Sequence, residues 1–498
     1  MNVNPITRLD YPDPDVIRVE DTYYMVSTTM HFMPGCEILQ SFDLVHWEHA
    51  TYVYETLDHT DAQQLKSGQN IYGQGMWAAS LRYHEGRFYI CFVANDTRKT
   101  YLYTSEKIDG PWKKQLIEGF YHDGSLLFDE DGRNYIVYGN DEIWITELNE
   151  DLTAPKKDGL HRLLVSDHKN PELGYEGSHI QKINGYYYIF LVHSLRDRWM
   201  RTEACFYSDS LEGEFTGGDV LCDDRGYCGQ GVAQGGIVDT PDGKWYAMLF
   251  QDSGAVGRIP ILLPVTWKDH FPFFGQNGHV PEEIEVHSTR PGYIYQPLVG
   301  SDDFYNGLLP RWQFNHDPDP QYYHLDALQG TYTITTREVC TELTQAVNTL
   351  TQRMSYPSCA AEVTVDASAL KDGDVAGLCA FQGCYAAVGI TKHHGKYEVL
   401  MLDKKEDGIL DMTEGTVVES HQMDFRLEAD FCNMKDEARC YYRVNKGDWL
   451  PIGTVHKLYF KLDHFTGCRF GLFCYAAEET GGSACFRDFK YYDVDEIS

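Results

Sequence analysis

At 498 residues and 57.1 kDa the chain is too long for one ordinary domain, and two domains can each bury a full core without a disulfide or metal staple. Its 75 Asp and Glu against 42 Lys and Arg leave a formal net charge of -33, which disfavours nucleic acid and anionic membrane surfaces and points to a neutral partner. The 14 cysteines follow no metal-ligand spacing, the opening Met1-Asn2-Val3-Asn4-Pro5 is no signal peptide and no apolar run of about 18 residues could span a membrane, so a cytoplasmic protein with free thiols is expected.

Five hairpin-like segments recur in chain order, at a period of roughly 40 to 60 residues that suits propeller blades. They are Val19 to Met25, His84 to Ile90, Glu130 to Ile136, Ile183 to Ile189 and Pro241 to Ala247. Four of the five carry Gly at the turn, where a tight hairpin needs positive φ, followed by aromatic and β-branched residues suited to a strand. Further strand pairs lie between them, as in Tyr101-Leu102-Tyr103-Thr104-Ser105, and almost no window has a helical period. The repeats stop after Trp267; residues 287–301, with Pro291, Gly292 and Pro297, read as a linker. From 302 to 498 short alternating strands with frequent turns predict a β-sandwich. The fold class is therefore all-β: a five-bladed propeller over 1–286 followed by a sandwich domain.

The repeats align on Tyr24, Tyr89, Tyr135, Tyr188 and Tyr246. Twelve positions before the last four stand Trp77, Asp123, Glu176 and Gln234, and eleven before the first stands Asp13. Equivalent positions in successive blades face one another around the axis, so one ring carries three carboxylates. Glu176 stands out further, because glutamate between glycines at the start of an apolar strand, Gly174-Tyr175-Glu176-Gly177, is depleted there unless a ligand comes close. Hydrolysis of a glycosidic bond needs one carboxyl group to protonate the leaving oxygen and one to activate water or attack carbon. A third can position the acid and tune it by like-charge repulsion. A hard-cation site is the competing use of three carboxylates.

The runs Tyr11-Pro12-Asp13-Pro14-Asp15, Tyr121-His122-Asp123-Gly124-Ser125-Leu126 and Tyr175-Glu176-Gly177-Ser178-His179-Ile180 resemble, in that order, the three catalytic motifs of glycoside hydrolase family 43, inverting exo-acting xylosidases and arabinofuranosidases built on a five-bladed propeller. The second half resembles the concanavalin-like sandwich often attached to that family. The resemblance implies that Asp13 is the general base, Glu176 the general acid, and Asp123 the group that orients the acid and raises its pKa. It further implies that Arg258 contacts sugar and acid and that Trp77 lines the sugar pocket, with Phe32 a weaker candidate and Phe381 and Gln382 assigned to core packing. Gln234 stands where many relatives have a histidine near a central ion or water; as a substrate-side residue it still offers a carbonyl oxygen. No cofactor is expected for the chemistry; a structural calcium could join Asp303 and Asp488 at the two ends of the sandwich. The expected substrate is a neutral oligosaccharide derived from xylan or arabinan. The closing motifs favour α-L-arabinofuranosidase, β-D-xylosidase being the alternative and a non-catalytic carbohydrate-binding propeller a third reading. Inversion implies base and acid carboxyls about 6.5–9.5 Å apart.

Overall fold

A computed structural model describes residues 2–413 and 415–493. Three of the five predicted hairpins form on two-residue turns, and in two of them, Glu85-Gly86 and Asn184-Gly185, both positions take positive φ (48° and 77°, 51° and 86°), the turn whose twist matches that of the strands it joins; the third and fifth hairpins close over 129–133 and 240–244. Each repeat then adds two outer strands, giving five four-stranded antiparallel blades. The innermost strands are Asp15–Val19, Met76–His84, Ser125–Phe128, Glu176–Ile183 and Val232–Asp239. Each packs beside the next around the axis, and the fifth packs against the first.

Among the described residues no strand is exchanged between the first and last blades to close the ring. Closure rests on that packing, on an ion pair between Arg18 and Asp239 (2.5 Å), and on pairing of Asn2–Val3 with Glu283–Ile284. Alternating side chains of neighbouring blades interdigitate between the sheets. Leu127, Val137 and Ile145 of blade 3, for example, meet Ile180, Ile189 and Leu191 of blade 4.

The segment predicted as a linker is strapped along blade 1. Arg290 pairs with Asp21 (2.7 Å), the Phe42 N–H donates to the Tyr295 hydroxyl (2.9 Å), and the Gln296 N–H donates to Glu48 (2.8 Å). Beyond it two antiparallel sheets stack into the sandwich, one of seven strands and one of nine. The ninth strand belongs to the propeller: Phe32–Met33 of blade 1 pairs with Gln313–Asn315.

The sandwich core also takes in Ala255, Val256 and Ile259 of blade 5. Arg353 of the sandwich reaches into the propeller, 2.8 Å from Glu37, 2.8 Å from the Asp10 carbonyl and stacked 4.0 Å over Tyr11. The two domains therefore share sheet, core and buried charge. All 14 cysteines are free thiols.

Candidate active site

The ring of equivalent positions is also a ring of backbone irregularities. Pairing between the first and second strands slips at Met76/Ala79, Glu176/His179 and Ala233/Gly236, and Asp13, Asp123, Gly177 and Gln234 all take positive φ (53°, 49°, 64° and 63°). Bulges of this kind re-aim side chains at the end of a strand, and left-handed backbone at Asp or Gln is held only where the surroundings enforce it. Here they gather the ring residues at one mouth of the axis.

Asp13 lies under cover, 6% exposed. Its Oδ2 accepts the Thr28 hydroxyl (2.6 Å) and its Oδ1 pairs with Arg258 Nη1 (3.0 Å). Arg258 is itself 1% exposed, its N–H donates to Asp10 Oδ1 (2.8 Å), and its guanidinium stacks 4.2 Å over the ring of Phe465. Arg258, expected to contact the sugar and the acid, is instead paired with Asp13, the expected base.

Glu176 is the carboxyl that opens to solvent, with 18% of its side chain exposed; its Oε2 accepts the Asn140 amide at 2.7 Å. Asp123 sits behind it and accepts the Gly177 N–H at 2.9 Å. Burial raises the pKa of Asp123, helped by the charges of Glu176 and Asp13 and opposed by His122. The His122 Nε2 stands 3.5 Å from both Asp123 Oδ2 and Glu176 Oε2, and the charge of Asp123 is the main reason its pKa rises to about 9. His122 is a site residue that sequence reasoning passed over, although it is the neighbour of Asp123 in the motif itself.

Glu176, His122 and Asn140 border a cleft of about 990 Å³ between the propeller face and the sandwich, walled by Trp77, Phe120, Trp199, Phe460 and Phe465. Trp77 lies where expected, its ring 5.6 Å from Phe465 and 5.9 Å from His122. Phe465 and Phe460 come from the sandwich, where no motif marks them; the signal at Phe465 is structural, a φ of 55° that a bulky side chain rarely adopts.

Two substrate-binding assignments need correction. Phe32 takes no part in the cleft wall: its strand is committed to the sandwich sheet, its ring lies under the Arg469 guanidinium (3.5 Å), and 1% exposure leaves almost no surface for a sugar. Gln234 is 5% exposed and packed against Gly177, with its N–H donated to the buried Glu203 (2.7 Å), so it shapes the bulge beside Glu176. Phe381 is core as expected, while Gln382 bridges the domains by donating to the carbonyls of Ala255 (3.0 Å) and Thr466 (3.3 Å), next to Phe465. Asp303 and Asp488 are both exposed, and Asp303 accepts the Tyr305 N–H at 3.1 Å. Among the described residues, the group of three with atoms close enough to share a metal ion is His122, Asp123 and Glu176.

Comparison with known proteins agrees with this geometry. Residues 3–272 match the family model "Glycosyl hydrolases family 43", and residues 301–492 match a "Beta xylosidase C-terminal Concanavalin A-like domain". A solved structure described as a bifunctional GH43-CE protein of Bacteroides eggerthii is 42% identical over the whole chain with a TM-score of 0.93, and the chain spans 64% of that protein. Among curated proteins, a "Beta-xylosidase" of Formosa agariphila is 26% identical across 99% of this chain and 89% of its own length. A "Non-reducing end alpha-L-arabinofuranosidase" of Bacteroides ovatus is 26% identical across 66% of this chain and 63% of its own.

Proposed function

The chain belongs to glycoside hydrolase family 43, and from that premise we propose that it is an inverting exo-acting glycosidase releasing terminal pentose, α-L-arabinofuranosyl residues first, from xylan- or arabinan-derived oligosaccharides. The observation that carries this reading is the division of labour among three carboxyls brought from three blades. Glu176, at the cleft, gives its proton to the departing glycosidic oxygen. Asp13, paired with Arg258, accepts a proton from the water that attacks the anomeric carbon on the opposite face. Asp123 touches neither event; buried behind Glu176, it accepts the Gly177 N–H on the bulge that carries the acid, and burial raises its own pKa, with the charge of Glu176 adding to the rise. His122 opposes the rise at Asp123 with its positive charge.

The preference for arabinofuranosides is supported by the room outside the acid. The aromatic faces of Phe120 and Trp199 flank a cleft broad enough for a chain of sugars as leaving group, which suits removal of a branch. The β-D-xyloside is the second reading, favoured by the name of the Formosa relative that matches the chain over 99% of its length. A neutral, already shortened substrate fits the net charge of -33, and the free thiols suit a reducing cytoplasm.

Release of nitrophenol from 4-nitrophenyl α-L-arabinofuranoside and β-D-xyloside, by wild type and by Asp13→Ala, Asp123→Ala and Glu176→Ala, tests the proposal. Activity on the arabinoside that falls in all three variants supports it. A protein that binds pentosides and turns over neither would make the propeller a binding module.

A further inference from the structure

The same wall of the cleft carries a second chemistry. One ligand atom from each of His122, Asp123 and Glu176 lies within 4.8 Å of the other two, and His122 Nε2 stands 3.5 Å from both Asp123 Oδ2 and Glu176 Oε2. A tetrahedral zinc ion with bonds of about 2.0–2.2 Å to nitrogen and oxygen spaces its ligands about 3.3–3.5 Å apart. We propose that His122, Asp123 and Glu176 form a binding site for a single borderline transition-metal dication such as Zn²⁺, whose occupancy blocks the catalytic centre.

Three features of the site favour such an ion. One imidazole and two carboxylates are the ligand types of open zinc sites, which leave a fourth position for water or a substrate oxygen. Both carboxylate oxygens are already oriented from outside, Glu176 Oε2 by the Asn140 amide (2.7 Å) and Asp123 Oδ2 by the Gly177 N–H (2.9 Å), and each keeps a further lone pair for a metal. The side chains of His122 and Glu176 are 22% and 18% exposed, so the cleft gives an ion a way in. Calcium and magnesium are poorly served, because they want six or more oxygen ligands, or a near-octahedral shell of oxygens, and the site offers two with a nitrogen.

An ion in this site would occupy Glu176 Oε2, the oxygen that faces the Asn140 amide at the cleft. Zinc there becomes an inhibitor of hydrolysis, because the acid cannot serve the leaving oxygen while its carboxylate is a metal ligand. The binding claim stands on the three side chains alone; only the inhibitory consequence rests on the reading of Glu176 as the acid.

Isothermal titration of the full chain with Zn²⁺ tests it, after the exposed thiols of Cys222, Cys228 and Cys432 are capped, and Co²⁺ in place of zinc reads the coordination by its visible spectrum. The expected result is one equivalent bound, with the intense bands of a four-coordinate cobalt, and affinity weakened about tenfold or more in both His122→Phe and Glu176→Gln. Changing the adjacent His393 and His394 to Ala should leave that equivalent in place. Stoichiometric zinc that survives both His122→Phe and Glu176→Gln, or disappears in the His393/His394 variant, overturns the proposal. Because these readouts need no turnover, a protein inert on pentosides that still binds zinc here contradicts only the glycosidase reading, and an active protein without this equivalent contradicts only the metal site.

Discussion

Glu176 receives a neutral amide from Asn140 and Asp13 a guanidinium from Arg258, and these partners separate two side chains that the bare ring of positions treats alike. Glu176→Gln keeps the shape and the Asn140 contact but removes the proton, so hydrolysis of unactivated oligosaccharides should fall by about 10²–10⁴-fold. The loss should be clearly smaller on 4-nitrophenyl glycosides, whose leaving group needs little protonation; steady-state rates on the two substrate types make the comparison. His122 predicts a different signature. Its pKa is raised to about 9, so its stabilising contribution is complete below about 6.5, the unfolded value, and is lost as pH rises through 9. Thermal unfolding of His122→Phe should accordingly be flatter than wild type between pH 6.5 and 9, and an unchanged slope would remove the imidazolium from the account. The carboxylates were legible because each stands eleven or twelve positions before a strand tyrosine. His122 was not, since a histidine beside an aspartate has no distinctive spacing.

The elements that set the site are bulges and one strained loop. Gly177 takes φ 64° and a Cβ there would stand 2.7 Å from the Gln234 side chain, so Gly177→Ala presses on the bulge that carries both Glu176 and the N–H bonded to Asp123. A cost of about 1–3 kcal/mol is expected, with kcat reduced more than KM, measurable by denaturant unfolding beside kinetics. Phe465 caps Arg258 from the sandwich side, its loop tied by the Phe465 N–H to the Lys461 carbonyl (2.8 Å) and by Gln382 to Thr466. Phe465→Ala should lower kcat/KM about tenfold or more by opening the arginine and the cleft to water, while the fold persists. Hairpins and blades could be read from sequence because their contacts are local. The Phe465 lid could not, because it lies 207 positions from Arg258 and only the assembled interface brings them together.

Across the whole molecule the sandwich is part of the enzyme's interior. It borrows a strand from blade 1, shares its core with blade 5 and places Arg353 against Glu37 in a pair with both side chains under 5% exposed. Arg353→Ala leaves the buried Glu37 charge without its guanidinium partner, with His49 still at 3.0 Å, and should cost about 3–5 kcal/mol of stability. The order of propeller and sandwich was legible from repeats and turn spacing, but the interlocking of the domains was not, because it depends on pairings hundreds of residues apart. The account as a whole rests on Asp13 acting on water while Glu176 protonates the leaving group, and time-resolved proton NMR of the first-formed sugar tests this most directly. Hydrolysis of an α-L-arabinofuranoside should release β-L-arabinofuranose first, with the α anomer appearing only by mutarotation. Initial release of the α anomer would mean a covalent intermediate and would contradict the assigned roles of Asp13 and Glu176.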